Sequence, residues 1–277
     1  MLGRRGELVD VGAYVRPQGD STVSWVGTAA GVMTEPAVME ALSGAPVLVV
    51  AFGGVKHGTG LAMPPFEFLR SLSAHGCDAI FLRDSSQAWY QFGVEGVAAD
   101  VAGLAQWLRA RRRGYMRTIA VGNSMGGYAA LLFGWLAELD VMIAFSPQTT
   151  IASSDRAALG DHRWQSLIAR IHARSSDDRY HDVLTAPVSS GASERTSLLF
   201  FGADSSEDVA HAMRLAGEPG CHLFAVSESH HHAVKLLRDC GILARMFSKV
   251  CDPAIGMAAL LDDLRAEERL TRLDNRP

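Results

Sequence analysis

The chain has 277 residues, enough to bury the core of one ordinary α/β domain. With 26 Lys and Arg against 30 Asp and Glu its net charge is -4, which argues against a general polyanion binder, so no nucleic-acid partner is expected. The four cysteines, Cys77, Cys221, Cys240 and Cys251, show no C-x-x-C spacing and read as reduced thiols of a cytoplasmic protein, neither a disulfide frame nor a metal site.

Near the start, Arg4 and Arg5 are followed by no apolar core, so no secretory leader is expected. No apolar run reaches the roughly 18 residues of a membrane span. Residues 8–15 and 22–28 are β-prone and flank a turn-rich break, which predicts an opening hairpin. Residues 34–42 read as a short helix or a loop. The continuous apolar run 46–52, bounded by Pro46 and Gly53-Gly54, fits a central parallel strand. A helix is predicted over 65–75, a strand over 78–82, and a long helix over 93–113 with Val94, Val97, Val101, Leu104 and Leu108 at helical spacing. Arg109, Arg111, Arg112 and Arg113 close that helix, where cations suit the negative end of its dipole.

Residues 117–121 then read as a buried strand and 128–136 as a helix, with Gly122-Asn123-Ser124-Met125-Gly126-Gly127 between them. Strand, G-x-S-x-G, helix is the signature of a nucleophile elbow. Its serine occupies a strained turn, and Gly122 and Gly126 must lack side chains for strand and helix to approach. The Met125 backbone N–H, at the positive end of the helix, can face a developing oxyanion.

A strand follows over 141–145, and from 146 to 196 the rhythm changes. Trp164, Leu167, Ile168 and Ile171 make an amphipathic stripe among Ser-, Asp- and Arg-rich loops. Strand and helix then alternate again over 197–201, 207–216, 222–226 and 233–249, which implies a parallel sheet covered on both faces. Met257, Leu260, Leu261 and Leu264 share one face of a last helix, packed on the body or on a second copy, so a homodimer is left open. No P-loop and no G-x-G-x-x-G in a suitable context implies a nucleotide cofactor.

This order of elements around the elbow resembles the α/β-hydrolase superfamily over nearly the whole chain. The resemblance implies one domain with a lid at 148–193, and a nucleophile, acid and histidine in that chain order. Ser124 is the implied nucleophile. After the strand 197–201 stand two candidates for the acid that stay open: Asp204, nearest the strand end, and Asp208, whose plainer reading is a helix N-terminal carboxylate. After the strand 222–226 stand His230, His231 and His232. His232 is favoured as the base because it directly precedes a helical run, with His231 as the alternative. Adjacent histidines diverge, so no metal is expected there. The second oxyanion donor is expected in the turn after the first central strand, with Gly54 preferred and Gly53 freeing the turn.

Phe52-Gly53-Gly54, Phe81-Leu82-Arg83-Asp84, Trp89-Tyr90-Gln91-Phe92, the elbow and Phe145-Ser146-Pro147-Gln148 together are similar to a group of bacterial hydrolases. More loosely they resemble accessory Sec-pathway sugar O-acetyltransferases. Trp89 and Tyr90 follow a strand's carboxyl end and are candidates to wall an acyl or sugar pocket, or to wedge between loop and core. Arg83 and Asp84 read as an ion pair or turn brace. The expected function is a cofactor-free serine hydrolase acting on a small acyl substrate, an ester or thioester. Acyl transfer to a sugar or metabolite hydroxyl is the alternative, and a binding protein on a hydrolase fold the non-enzymatic one.

Overall fold

The computed structural model describes residues 22–26, 36–55, 66–175, 177–186 and 195–273. Among them run the strands β1 (Thr22–Val26), β2 (Val38–Leu42), β3 (Val47–Phe52), β4 (Asp78–Leu82), β5 (Arg117–Asn123), β6 (Val141–Phe145), β7 (Thr196–Gly202), β8 (Cys221–Val226) and β9 (Leu270–Arg272). They form one sheet in the order β1-β2-β4-β3-β5-β6-β7-β8-β9. From β4 to β8 neighbouring strands are parallel, and β1, β2 and β9 add antiparallel edges. The helices are α1 (Leu69–Leu72), α2 (Val101–Arg111), α3 (Met125–Leu136), α4 (Ser153–Ala158), α5 (Gln165–Arg174), α6 (Ser206–Met213), α7 (Ala233–Asp239), α8 (Ile242–Val250) and α9 (Met257–Ala266).

Successive side chains of a strand point to opposite faces, and both faces of this sheet are covered. Leu48, Val50 and Phe52 of β3 join one apolar layer with Leu104 and Leu108 of α2 and Leu131 and Phe133 of α3. Val47, Val49 and Ala51 join the other, with Leu237 of α7, Met246 and Phe247 of α8 and Leu260 of α9. Every residue of α3 is buried, which accounts for a helix apolar on all sides rather than along one stripe. The elbow therefore stands at the centre of the sheet, between a strand buried along its middle and a helix buried throughout.

Several elements depart from the sequence reading. Residues 38–42, expected as helix or loop, are β2, although Met39, Glu40, Ala41 and Leu42 favour helix; pairing with β1 on one side and β4 on the other overrides that propensity. The hairpin partner expected over 8–15 lies outside the described residues. The helix expected over 93–113 begins only at Val101, because Asp100 caps it by accepting the Gly103 N–H at 2.7 Å while Val94 and Ala98 bridge into a turn. The helix expected over 233–249 is two, α7 and α8, separated at Gly241. The helix expected over 65–75 shortens to α1, and the last helix is present as α9.

At the other end of the elbow strand, Arg117 donates to four carbonyls at and beyond the end of α8: Val250 and Asp252 from Nη1 at 2.9 and 2.8 Å, and Pro253 and Ile255 from Nη2 at 3.4 and 2.7 Å. No helix among the described residues is long and apolar enough to cross a membrane.

Candidate active site

Ser124 sits between β5 and α3 with φ 55° and ψ -117°, a strained backbone for a residue with a side chain. The glycines around it explain how the turn closes. A Cβ on Gly122 would lie 2.0 Å from the Gly126 carbonyl oxygen, and one on Gly126 would lie 2.2 Å from that of Phe52. The Ser124 N–H donates to the Phe145 carbonyl at 2.8 Å, fixing the elbow to β6. Met125 is the first residue of α3, where a backbone N–H has no partner within the helix.

The histidine loop follows β8 and crosses the end of β7 at Gly202. A Cβ there would lie 2.0 Å from the His230 carbonyl oxygen and 2.3 Å from that of Ser229, so only glycine admits the loop this close. The loop brings His231, rather than the favoured His232, to the serine: His231 Nε2 is 3.1 Å from Ser124 Oγ. His231 Nδ1 is 3.0 Å from each oxygen of Asp208. His232 is exposed at the start of α7, and His230 Nδ1 donates to the Asp204 carbonyl at 2.9 Å. Of the two aspartates, then, Asp208 reaches a histidine with its carboxylate and Asp204 with its main chain. Burial pushes the Asp208 carboxyl up, but the His231 hydrogen bond, with the charges of His231 and Arg163, outweighs that and holds it below the ordinary carboxylate value. A hydroxyl, an imidazole and a carboxylate in this line can pass a proton from serine to ring and stabilise the charge that results.

The turn after β3 is differently arranged from the expectation. The Gly53 N–H donates to the Leu82 carbonyl at 2.9 Å, and the Gly54 N–H, the preferred oxyanion donor, donates to Glu67 Oε1 at 3.1 Å. Trp89 and Tyr90 are fully buried and lie against protein. Trp89 Nε1 donates to Gln148 Oε1 at 3.1 Å; the Tyr90 hydroxyl lies 3.0 Å from the Gly53 carbonyl oxygen and 3.1 Å from that of Leu82. Tyr90 thereby braces the turn after β3, and Trp89 ties its loop to the segment after β6. Asp84 is a turn brace as well, accepting the Ser86, Ala88 and Tyr90 N–H groups at 2.9, 2.6 and 2.9 Å, and burial raises its pKa despite them.

Residues that the sequence did not single out surround Asp208. Arg163, between α4 and α5, donates from Nη1 to Asp208 Oδ1 at 2.7 Å and from Nε and Nη2 to the two oxygens of Asp161 at 2.9 and 3.2 Å. Asp161 Oδ2 in turn accepts from His211 Nε2 at 2.8 Å and from Gln148 Nε2 at 3.3 Å. These residues are separated by 45 and 50 positions and carry no motif, so nothing in the sequence could have joined them. Gly202, at the end of β7, is by contrast a local sign of close backbone approach that the sequence does carry. Among the described residues no group of three or more His, Cys, Asp or Glu side chains is placed to hold a metal ion.

No family model matches the chain, and no curated protein matches it in sequence. Solved structures do. The capsule O-acetyltransferase of Neisseria meningitidis serogroup A is similar with a TM-score of 0.56 and 14% identity, covering 79% of this chain and 98% of that one. The fluorophosphonate-binding serine hydrolase FphF of Staphylococcus aureus is similar with a TM-score of 0.55 and 11% identity, covering 84% and 100%. The S-formylglutathione hydrolase FrmB of the same species is similar with a TM-score of 0.51 and 12% identity, covering 78% and 92%. At these identities the likeness is one of architecture, and with the strand order, the elbow and the covered parallel sheet it establishes that this chain has the α/β-hydrolase fold.

Proposed function

We propose that the chain is a serine acyl hydrolase in which Ser124 attacks the carbonyl of an ester or thioester, His231 takes the hydroxyl proton, and Asp208 orients the ring. The observation that carries this reading is the unbroken line from Ser124 Oγ to His231 Nε2 at 3.1 Å and from His231 Nδ1 to both Asp208 oxygens at 3.0 Å. With Nδ1–H donated to the carboxylate, Nε2 is the lone-pair nitrogen that faces the serine. The proton then passes from Nε2 to the departing alcohol or thiol. Water, deprotonated by the same nitrogen, cleaves the acyl-serine bond, releases the carboxylic acid and restores the hydroxyl. The Met125 N–H, at the head of α3, is the first oxyanion donor, and the Gly54 N–H is the second once the Glu67 carboxylate leaves it.

A fluorophosphonate probe tests the reading. Labelling should map to the peptide holding Ser124, and Ser124→Ala should lose both the label and turnover of p-nitrophenyl acetate while remaining folded. A folded wild-type chain that takes no label would instead support a non-catalytic binding role.

The architecture shared with a capsule O-acetyltransferase supports a second reading, acyl transfer to a sugar hydroxyl through the same residues. The two differ in the acceptor. Adding a polyol or sugar should speed consumption of the acyl donor and build up acylated acceptor in a transferase, and do neither in a hydrolase. The residues 148–193, proposed as a lid, hold the other determinant, since an acyl-enzyme shielded from water favours transfer.

A further inference from the structure

The triad carboxylate does not stand alone. Asp208 and Asp161 have no side-chain exposure, and between them lies the Arg163 guanidinium, 23% exposed. A guanidinium is a rigid planar fork, and here its prongs are divided between the two carboxylates: Nη1 on Asp208, Nε and Nη2 on Asp161. The Arg163 backbone N–H also donates to Asp161 Oδ1 at 2.9 Å, so the same residue is fixed at main chain and side chain. Nη1 lies 3.3 Å from His231 Nδ1, which places the cation at the border of acid and base.

Asp161 is itself held from behind. The Thr149 N–H donates to His211 Nδ1 at 3.1 Å, so the proton of this ring sits on Nε2, aimed at Asp161 Oδ2 at 2.8 Å. With Nδ1 accepting that N–H the ring is neutral, and burial, against the pull of Asp161, lowers its pKa. Asp161 also meets a second buried cation, since Arg156 Nη2 lies 3.6 Å from Asp161 Oδ1. Two carboxylates and two guanidiniums thus meet behind the base, and the neutral His211 adds no charge to them.

We propose that Arg163, set by Asp161, is a positioning residue for the acid of the triad: it fixes the Asp208 carboxylate so that both oxygens meet His231 Nδ1, while Asp161 holds the guanidinium from its other side. The inference rests on the triad proposed above. It makes the segment between β6 and β7 part of the catalytic geometry, not a cover alone, because Asp161 and Arg163 both lie on it.

The experiment measures the rate constant for fluorophosphonate labelling of Ser124, with kcat and KM on an activated ester, for wild type, Arg163→Lys, Arg163→Ala and Asp161→Asn. Misplacement of a catalytic group by about 1 Å costs on the order of 100-fold, so Arg163→Ala should label about 10- to 100-fold more slowly, through kcat and not KM. Added guanidinium ion should restore part of the rate, which a purely structural loss would not allow. Arg163→Lys, with a point charge in place of the fork, should fall between, and Asp161→Asn should also slow labelling. Should Arg163→Ala fail to fold, Arg163→Lys decides the matter: a folded Lys variant as fast as wild type overturns the proposal. So does a folded Arg163→Ala that labels at the wild-type rate or gains nothing from guanidinium. A wild-type chain that never labels overturns the triad itself, and is thereby distinguished from a failure of Arg163 alone.

Discussion

The backbone N–H of Gly54 donates to the carboxylate of Glu67 at 3.1 Å, so the amide proposed as the second oxyanion donor is already holding a carboxylate oxygen. On that proposal the carboxylate occupies the place of the charge that would form in the reaction, and catalysis would have to displace it. A net hydrogen bond is worth about 1 kcal/mol, so Glu67→Ala should raise kcat/KM on a small activated ester about fivefold. A fall in kcat/KM in a folded variant would show that Glu67 braces the turn and does not compete for it.

The three histidines and two aspartates separate cleanly in kinetics. His231→Ala and Asp208→Asn should each lower kcat by about 10⁴-fold, the scale of triad deletions elsewhere, with thermal stability little altered for His231→Ala. His232→Ala and Asp204→Asn should stay within about threefold of wild type, because the His232 ring only stands beside that of His231, with centroids 6.2 Å apart, and the Asp204 contact to a histidine is through its main chain. An inactive His232 variant beside an active His231 variant would reverse the assignment.

Gly202→Ala tests whether the histidine loop must lie against the end of β7. The added methyl meets two carbonyl oxygens of that loop at 2.0 and 2.3 Å, so the loop has to lift. Since a displacement of about 1 Å can cost 100-fold, kcat should drop at least about 10-fold in a chain that still melts cooperatively. Unchanged kcat would mean that the loop finds its place without that contact.

A pH dependence of stability follows from His211. The ring is wholly buried, and burial lowers its pKa from the ordinary 6.5, with Asp161 pulling the other way and Arg163 and Arg214 adding to the fall. Unfolded, the ring takes up a proton below pH 6.5, whereas folded it stays neutral. Unfolding therefore gains protons as pH falls, and stability declines from pH 6.5 downward through the folded pKa. His75 and His181, also lowered by burial, act in the same direction. Tm should fall between about pH 7.5 and 5.5, and His211→Gln, at its own lower Tm, should fall less steeply over that range. Parallel slopes would place the His211 pKa at its unfolded value.

What could be read in the sequence was whatever local physics sets. The elbow is one such feature, since Gly122, Ser124 and Gly126 stand within five residues and the strand and helix flank them directly. The parallel strands are another, as short apolar runs bounded by turn residues fit strands buried on both faces. β2 is not legible, because its residues favour helix and its strand character comes from neighbours on either side. The start of α2 is hidden because Val94 and Val97 keep a helical spacing inside a turn, and only the Asp100 cap marks it. Position before a helix favours His232 over His231, but which ring faces the serine depends on the path of a loop across Gly202, a tertiary matter. Arg163 and Asp161 were invisible for the same reason: their partners are supplied by folding.

The anchorage of Arg117 means that the strand carrying the elbow is held at both ends by different parts of the chain. Its carboxyl end meets the loops of the site, while its amino end is tied to a stretch that begins at Val250. One planar side chain satisfies four carbonyls there, a task for which a lysine ammonium has too few hydrogens and no fork. The connection into α9 thus works as a tether on the floor of the sheet, so what is attached or altered behind residue 250 is felt by the strand that presents Ser124.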